Sequence, residues 1–157
     1  MKNKVYIETT VISYLTARRS SDVVVAGHQK TTRNWWRLRR DQFEIYGSQF
    51  VLDEAVQGDP IAARRRLRLL RDFPLLAATQ AVQDLARRLI RPGGIPREAD
   101  RDALHIAVAA VHGIDYLLTW NQRHIANAQN RNNLSATCAA EGFELPIICT
   151  PEELMGD

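Results

Sequence analysis

Lysine is nearly missing from this chain: it occurs at Lys2, Lys4 and Lys30 and nowhere after. A phosphoacceptor receiver domain needs a late lysine and paired acids after its first strand. Here the first β-rich run, Val5 to Ile7, is followed by Glu8 alone. A haloacid-dehalogenase-type phosphatase needs Asp-x-Asp at that point, where Glu8-Thr9-Thr10 stands. Glycine is sparse, and its one doublet, Gly93-Gly94, falls between two helical stretches rather than after a strand, so no dinucleotide-binding loop is present. The two cysteines, Cys138 and Cys149, match no metal-ligand spacing and read as free thiols of a reducing compartment. No apolar run approaches the roughly 18 residues needed to cross a bilayer. The N-terminal apolar run is interrupted by Glu8 and two threonines and lacks a small-residue cleavage site, which excludes a secretory signal and leads us to expect a cytoplasmic protein.

What is present fits one globular domain over residues 1–157. Hydrophobic residues make up 45% and charged residues 25%, enough to bury a core without cross-links. The net charge of +3 is mild, but arginine is concentrated at Arg33 to Arg40, at Arg64, Arg65, Arg66, Arg68 and Arg71, and at Arg87, Arg88 and Arg91. Such clusters suit a phosphate backbone or an acidic protein, and they equally suit solvated helix faces.

Apolar patterning alternates between strand and helix from end to end. Val5–Ile7 reads as a strand, followed by a short helix through Val11 to Leu15 and a longer one from Val23 to Asp41. Phe43 to Ser48 alternates as a second strand and leads into a short helix through Phe50 to Val56. Asp59 and Pro60 have the residue types of a cap and first helical position for a helix to Asp72. Leu75 to Ala78 is a third strand, and Gln80 to Arg91 an amphipathic helix. After the breaker Pro92 to Pro96 comes a helix from Arg97 to His112, apolar on nearly every side and closed by Gly113. Tyr116 to Trp120 and Leu145 to Cys149 are strands four and five, with a helix over Asn132 to Glu141 between them. This order predicts a three-layer α/β sandwich around a mostly parallel sheet of four to five strands.

In such a sheet, ligands gather at the carboxyl ends of the strands. Glu8 follows strand one, Glu54 lies in the helix after strand two, Asp102 stands at the mouth of the greasy helix, and Asn121 follows strand four. Oxygen ligands collected at one sheet edge suit a hard cation. Taken singly, each acid equally reads as a surface charge or a cap. His105 lies one turn after Asp102, either as a donor to that carboxylate or as a satisfied core histidine. Trp35 and Trp36 suit base stacking or packing against a partner.

Val5-Tyr-Ile-Glu-Thr-Thr-Val-Ile-Ser-Tyr14 resembles the opening of PIN domains, Asp102-Ala-Leu-His-Ile-Ala resembles their internal acidic helix start, and Leu117-Leu-Thr-Trp-Asn121 resembles the segment with their last acid. The resemblance spans essentially the whole chain and is nearest to the VapC-like toxins of type II toxin–antitoxin pairs. It implies an endoribonuclease that hydrolyses RNA phosphodiester bonds with Mg²⁺ or Mn²⁺. It assigns Glu8, Glu54 and Asp102 as metal ligands and Asn121 to the fourth catalytic position. Thr9 would neighbour a metal-held water or phosphate, and Arg123 and His124 would contact substrate. A cognate antitoxin and a homodimer follow from the same resemblance. Two departures stand out: Glu8 replaces the usual Asp, and Asn121 is neutral where an acid is usual. The loss of charge weakens a second metal position and leaves a catalytically weakened RNA- or protein-binding module as the alternative. Crowded carboxylates lead us to expect at least one raised pKa in the absence of metal, with Glu54 or Asp102 as proton acceptor.

Overall fold

The computed structural model describes residues 1–156. Strands β1 (Asn3–Ile7), β2 (Phe43–Ser48), β3 (Leu75–Leu76), β4 (Tyr116–Leu118) and β5 (Ile147–Cys149) form one sheet in the order β3-β2-β1-β4-β5. Every neighbouring pair is parallel. Val5, Tyr6 and Ile7 of the central strand are all fully buried, as expected of a parallel strand covered on both faces.

The covering helices are α1 (Thr9–Thr16), α2 (Val23–Arg39), α3 (Gln49–Ala55), α4 (Pro60–Leu70), α5 (Gln80–Leu89), α6 (Asp100–Val111) and α7 (Arg131–Ala140). Helix α1 packs against α2, α3 and α4, while α5 packs against α6 and α7, completing a three-layer sandwich. The helix starts follow from local chemistry. Asp59 Oδ2 accepts from the Ala62 amide at 2.9 Å with Pro60 just behind it, and Asp22 caps α2 through the Val25 amide. Gly113, at φ +67°, takes the left-handed turn that ends α6. In α5, Val82, Leu85, Ala86 and Leu89 are buried while Arg87 and Arg88 face outward. In α6, Ile106, Ala107, Val108 and Ala109 have no exposure at all, so this helix forms the rigid centre of its layer.

Several element ends differ from the sequence reading. The expected fourth strand stops at Leu118 because the Trp120 amide leaves the ladder and donates to Thr10 Oγ1 at 2.9 Å. The third strand ends at Leu76, and the fifth begins only after Pro146, which has no amide to donate. The helix expected from Arg97 opens with a 3₁₀ turn, Arg97–Ala99, so Asp102 is the third residue of α6 and not its cap. The tandem tryptophans belong to the core. Trp35 is fully buried, stacks on Phe43 and donates Nε1–H to the Leu154 carbonyl. Trp36 stacks on Phe73 beneath the Arg40 guanidinium.

The strand order carries a positional consequence. The chain leaves β1 to build β2 and β3 on one side, then returns to place β4 and β5 on the other. The carboxyl ends of β1 and β4 therefore flank a topological switch point, where open α/β sheets form their crevice. Glu8 and Thr119 stand there, and the Glu8 amide donates to the Leu118 carbonyl at 3.1 Å.

Candidate metal centre

Glu8 is a buried carboxylate, 3% exposed, on the first residue past β1. Thr10 Oγ1 donates to its Oε1 at 2.5 Å and Thr119 Oγ1 to the same oxygen at 2.6 Å. Among the described residues no hydrogen bond reaches Oε2. Burial pushes its carboxyl above the usual range, and His105 and the two threonine hydroxyls offset only part of that effect. A buried anion with one oxygen clamped and the other free is costly unless a cation joins it.

Glu54 reaches the same point from the sixth residue of α3. Its Oε1 accepts from Thr9 Oγ1 at 2.7 Å and from His105 Nε2 in a very short contact. Burial alone would raise its carboxyl. The His105 hydrogen bond and charge, then Thr9 and Arg101, outweigh that and hold it below the usual range. His105 is completely buried in α6. Its other nitrogen, Nδ1, meets the Tyr6 hydroxyl at 2.6 Å, and Tyr6 meets Ser48 Oγ at 2.7 Å. Ser48 Oγ also accepts from the Val51 amide as the cap of α3. Glu54 accepts, so Nε2 donates to it, and Ser48, Tyr6, His105 and Glu54 form one continuous hydrogen-bonded chain. Burial, above all, keeps the Tyr6 hydroxyl protonated, well above its usual range.

One ligand atom from each of Glu8, Glu54 and His105 lies within 4.8 Å of the other two. Two carboxylates and an imidazole at that spacing could hold a metal ion, and an ion taken at Nε2 would displace the proton held there. This grouping differs from the one expected of the sequence. His105 joins the acids, while Asp102 is not part of this grouping. Its Oδ1 instead accepts from Asn121 Nδ2 at 3.1 Å. Burial still raises the Asp102 carboxyl, with the Asn121 amide opposing. Asn121 braces this corner of the site: its Oδ1 takes the His124 amide at 3.1 Å while its Nδ2 holds Asp102. Thr9 likewise spends its hydroxyl on Glu54. The His124 carbonyl accepts from Asn130 Nδ2, and the exposed Arg123 accepts from Asn127 through its carbonyl, so both shape the loop after β4 with their backbones. The expected raised pKa values are found at Glu8 and Asp102, but burial is the leading cause, ahead of repulsion between acids.

Sequence reasoning passed over Tyr6, Ser48, Thr10, Thr119 and Arg101. Ser48, Thr10 and Thr119 follow or end strands, which is the signal that could have found them. The arginine clusters divide. Arg66 is structural, donating Nε–H to Ala55 O at 3.0 Å and Nη2–H to Gln57 O at 2.6 Å. Arg33 ties α2 to the Ala17 carbonyl, and Arg88 pairs with Glu141. Arg64, Arg65, Arg68 and Arg71 make no ion pair or side-chain hydrogen bond among the described residues. The first three ride on α4 and Arg71 caps its end, and α4 packs against the two helices carrying Thr9 and Glu54. Both cysteines are buried free thiols, and among the described residues no helix is long and apolar enough to cross a membrane. In comparisons with known proteins, no family model matches the chain, and neither the curated proteins nor the solved structures yield a match.

Proposed function

We propose that this protein is a metal-dependent endoribonuclease of the PIN, VapC-like kind, cutting RNA at the crevice between β1 and β4. The observation that carries the reading is the convergence of Glu8, Glu54 and His105 at the topological switch point of a parallel sheet. The donor set fits Mn²⁺ or Mg²⁺, and the imidazole favours Mn²⁺. A bound cation supplies polarisation of a phosphoryl oxygen and lowers the pKa of a ligated water from about 15.7 towards neutrality.

The chain's own residues do the rest. Thr10 and Thr119 fix Glu8, and Thr9 fixes Glu54, so both carboxylates are held in place for the cation. Asp102 is the proton acceptor in this scheme. Its carboxyl is raised towards the working range, and no hydrogen bond reaches its Oδ2 among the described residues, whereas Glu54 is lowered and doubly engaged. The unpaired arginines of α4 suit the flanking phosphates of an RNA strand. In the cell, this reading carries a cytoplasmic location, a homodimer and a small antitoxin protein that covers the site.

The direct test is cleavage of single-stranded RNA in Mn²⁺ or Mg²⁺ against an excess of chelator. The proposal expects products with metal only, and cleavage that survives the chelator would sink it. Asn121 favours a second reading, a PIN-like module that binds RNA or protein without cutting, because its amide leaves the position beside Asp102 neutral. RNA retention in Mn²⁺ with no cleavage over long incubation would select that module.

A further inference from the structure

Arg101 is the cation nearest to the acidic centre, and the structure leaves its hydrogen-bonding capacity largely unspent. Its Nε lies 3.8 Å from Glu54 Oε2, and Nη2 lies 4.0 Å from Asp53 Oδ2. Both separations are ion-pair distances, too long for hydrogen bonds. Of the five N–H donors on a guanidinium, one is used, from Nη2 to the Phe50 carbonyl at 3.1 Å. Nε is buried and has no hydrogen-bond partner. The side chain as a whole is 43% exposed, so the fork has one side against the protein and one open to solvent. If Arg101 existed only to neutralise Glu54, a shorter, bidentate approach to Oε2 would be expected, since that oxygen has no other donor among the described residues.

We propose that Arg101 is the residue that grips the scissile phosphate, presenting its open donors to a non-bridging oxygen beside the Glu8–Glu54–His105 centre. A guanidinium suits this task because its planar fork matches two phosphate oxygens and never loses its charge. Its anchor on the Phe50 carbonyl fixes the fork's approach. Its position one residue before Asp102 on α6 ties it to the proton acceptor. When a cation takes up the charge of Glu54, the pull on Arg101 weakens and the fork is freed for the substrate. The inference rests on the nucleolytic reading of the site.

The test compares wild-type protein with Arg101→Gln and Arg101→Lys, using a fluorescent single-stranded RNA of mixed sequence. RNA binding and cleavage are measured in Mn²⁺ at several salt concentrations, and Mn²⁺ affinity is titrated without RNA. We expect Arg101→Gln to weaken RNA binding about tenfold or more. The slope of log Kd against log salt should shrink by about 0.7, the value for one lost phosphate contact on a single strand. Mn²⁺ affinity should hold or rise, because a neighbouring positive charge has gone. Arg101→Lys should restore the salt slope but not the full affinity. The inference is overturned if Arg101→Gln leaves RNA affinity and salt slope unchanged, or if its only effect is weaker Mn²⁺ binding, which would make Arg101 a positioning residue for Glu54. Wild-type protein that binds Mn²⁺ but neither holds nor cuts RNA would overturn the nucleolytic reading itself, a different result from a silent substitution in an active enzyme. Thermal melts of both variants establish that they are folded.

Discussion

Replacing Glu8 by Gln should make the metal-free protein more stable, although it removes a charged residue from the centre of the site. Both side-chain hydrogen bonds to Glu8 fall on Oε1, and the Gln side chain keeps that oxygen, so Thr10 and Thr119 keep their acceptor and each bond loses only its charge-assisted part. What disappears is an ionised group held at 3% exposure. The pH dependence follows from its raised carboxyl. Above the ordinary glutamate value of about 4.3 the folded state holds the proton more tightly than the unfolded chain, so wild-type stability falls as pH rises through that window. Below the window, protonated Glu8 and the neutral amide that replaces it are equivalent. Above it, the variant is expected to lead by on the order of 1 kcal/mol, near the low end for removing a buried charge without orphaning its partners. For a chain of this length that is about 2–4 °C in Tm. The assay is a pair of thermal melts in chelator at pH 8 and pH 5, repeated in Mn²⁺. With Mn²⁺ at a hundred times its Kd the wild type gains about 2.7 kcal/mol, and the variant should forfeit most of that gain. A variant no more stable than wild type in chelator at pH 8 would refute the claim that Glu8 is a buried anion whose cost its neighbours offset only in part.

Three further outcomes follow from the same geometry. His105→Ala leaves the Tyr6 hydroxyl with Ser48 alone and opens a cavity under α6, so urea unfolding should register a loss of about 3 kcal/mol; a loss well under 1 kcal/mol would mean the chain from Ser48 to Glu54 contributes little. Calorimetric titration should find Mn²⁺ bound more tightly than Mg²⁺, with affinity rising with pH as the raised Glu8 carboxyl gives up its proton; affinity independent of pH would contradict Glu8 as a ligand. Burial pushes the Cys138 thiol up to about 11 and the Cys149 thiol up to about 12. A thiol-reactive dye should therefore modify neither until the protein unfolds, and rapid labelling of the folded protein would contradict that burial.

The fold was legible wherever burial is written as a local pattern. The unbroken apolar run of β1, the amphipathic stripe of α5 and the all-round apolar α6 each announce their layer. Element ends were less legible because they depend on distant partners. The residue that takes the Trp120 amide out of β4, Thr10, is 110 positions away. The candidate site divides in the same way. Glu8 and Glu54 could be picked by their place after strands one and two. His105 could not be assigned, because a histidine in a greasy helix reads equally as core. Only the approach of Tyr6 from 99 residues upstream and of Glu54 from 51 residues upstream identifies it as part of the acidic cluster. Asp102 and Asn121 sit where the sequence put them, yet their side chains engage each other, and that pairing moves the centre of the site towards α3.

Diffraction from crystals soaked in Mn²⁺, recorded to detect the anomalous signal of the ion, locates the cation itself. One peak is expected, enclosed by Glu8, Glu54 and His105, with the Asp102–Asn121 pair intact beside it and the peak lost in crystals of Glu8→Gln. An ion centred on Asp102 and Asn121, or no ordered ion at saturating Mn²⁺, would contradict the account.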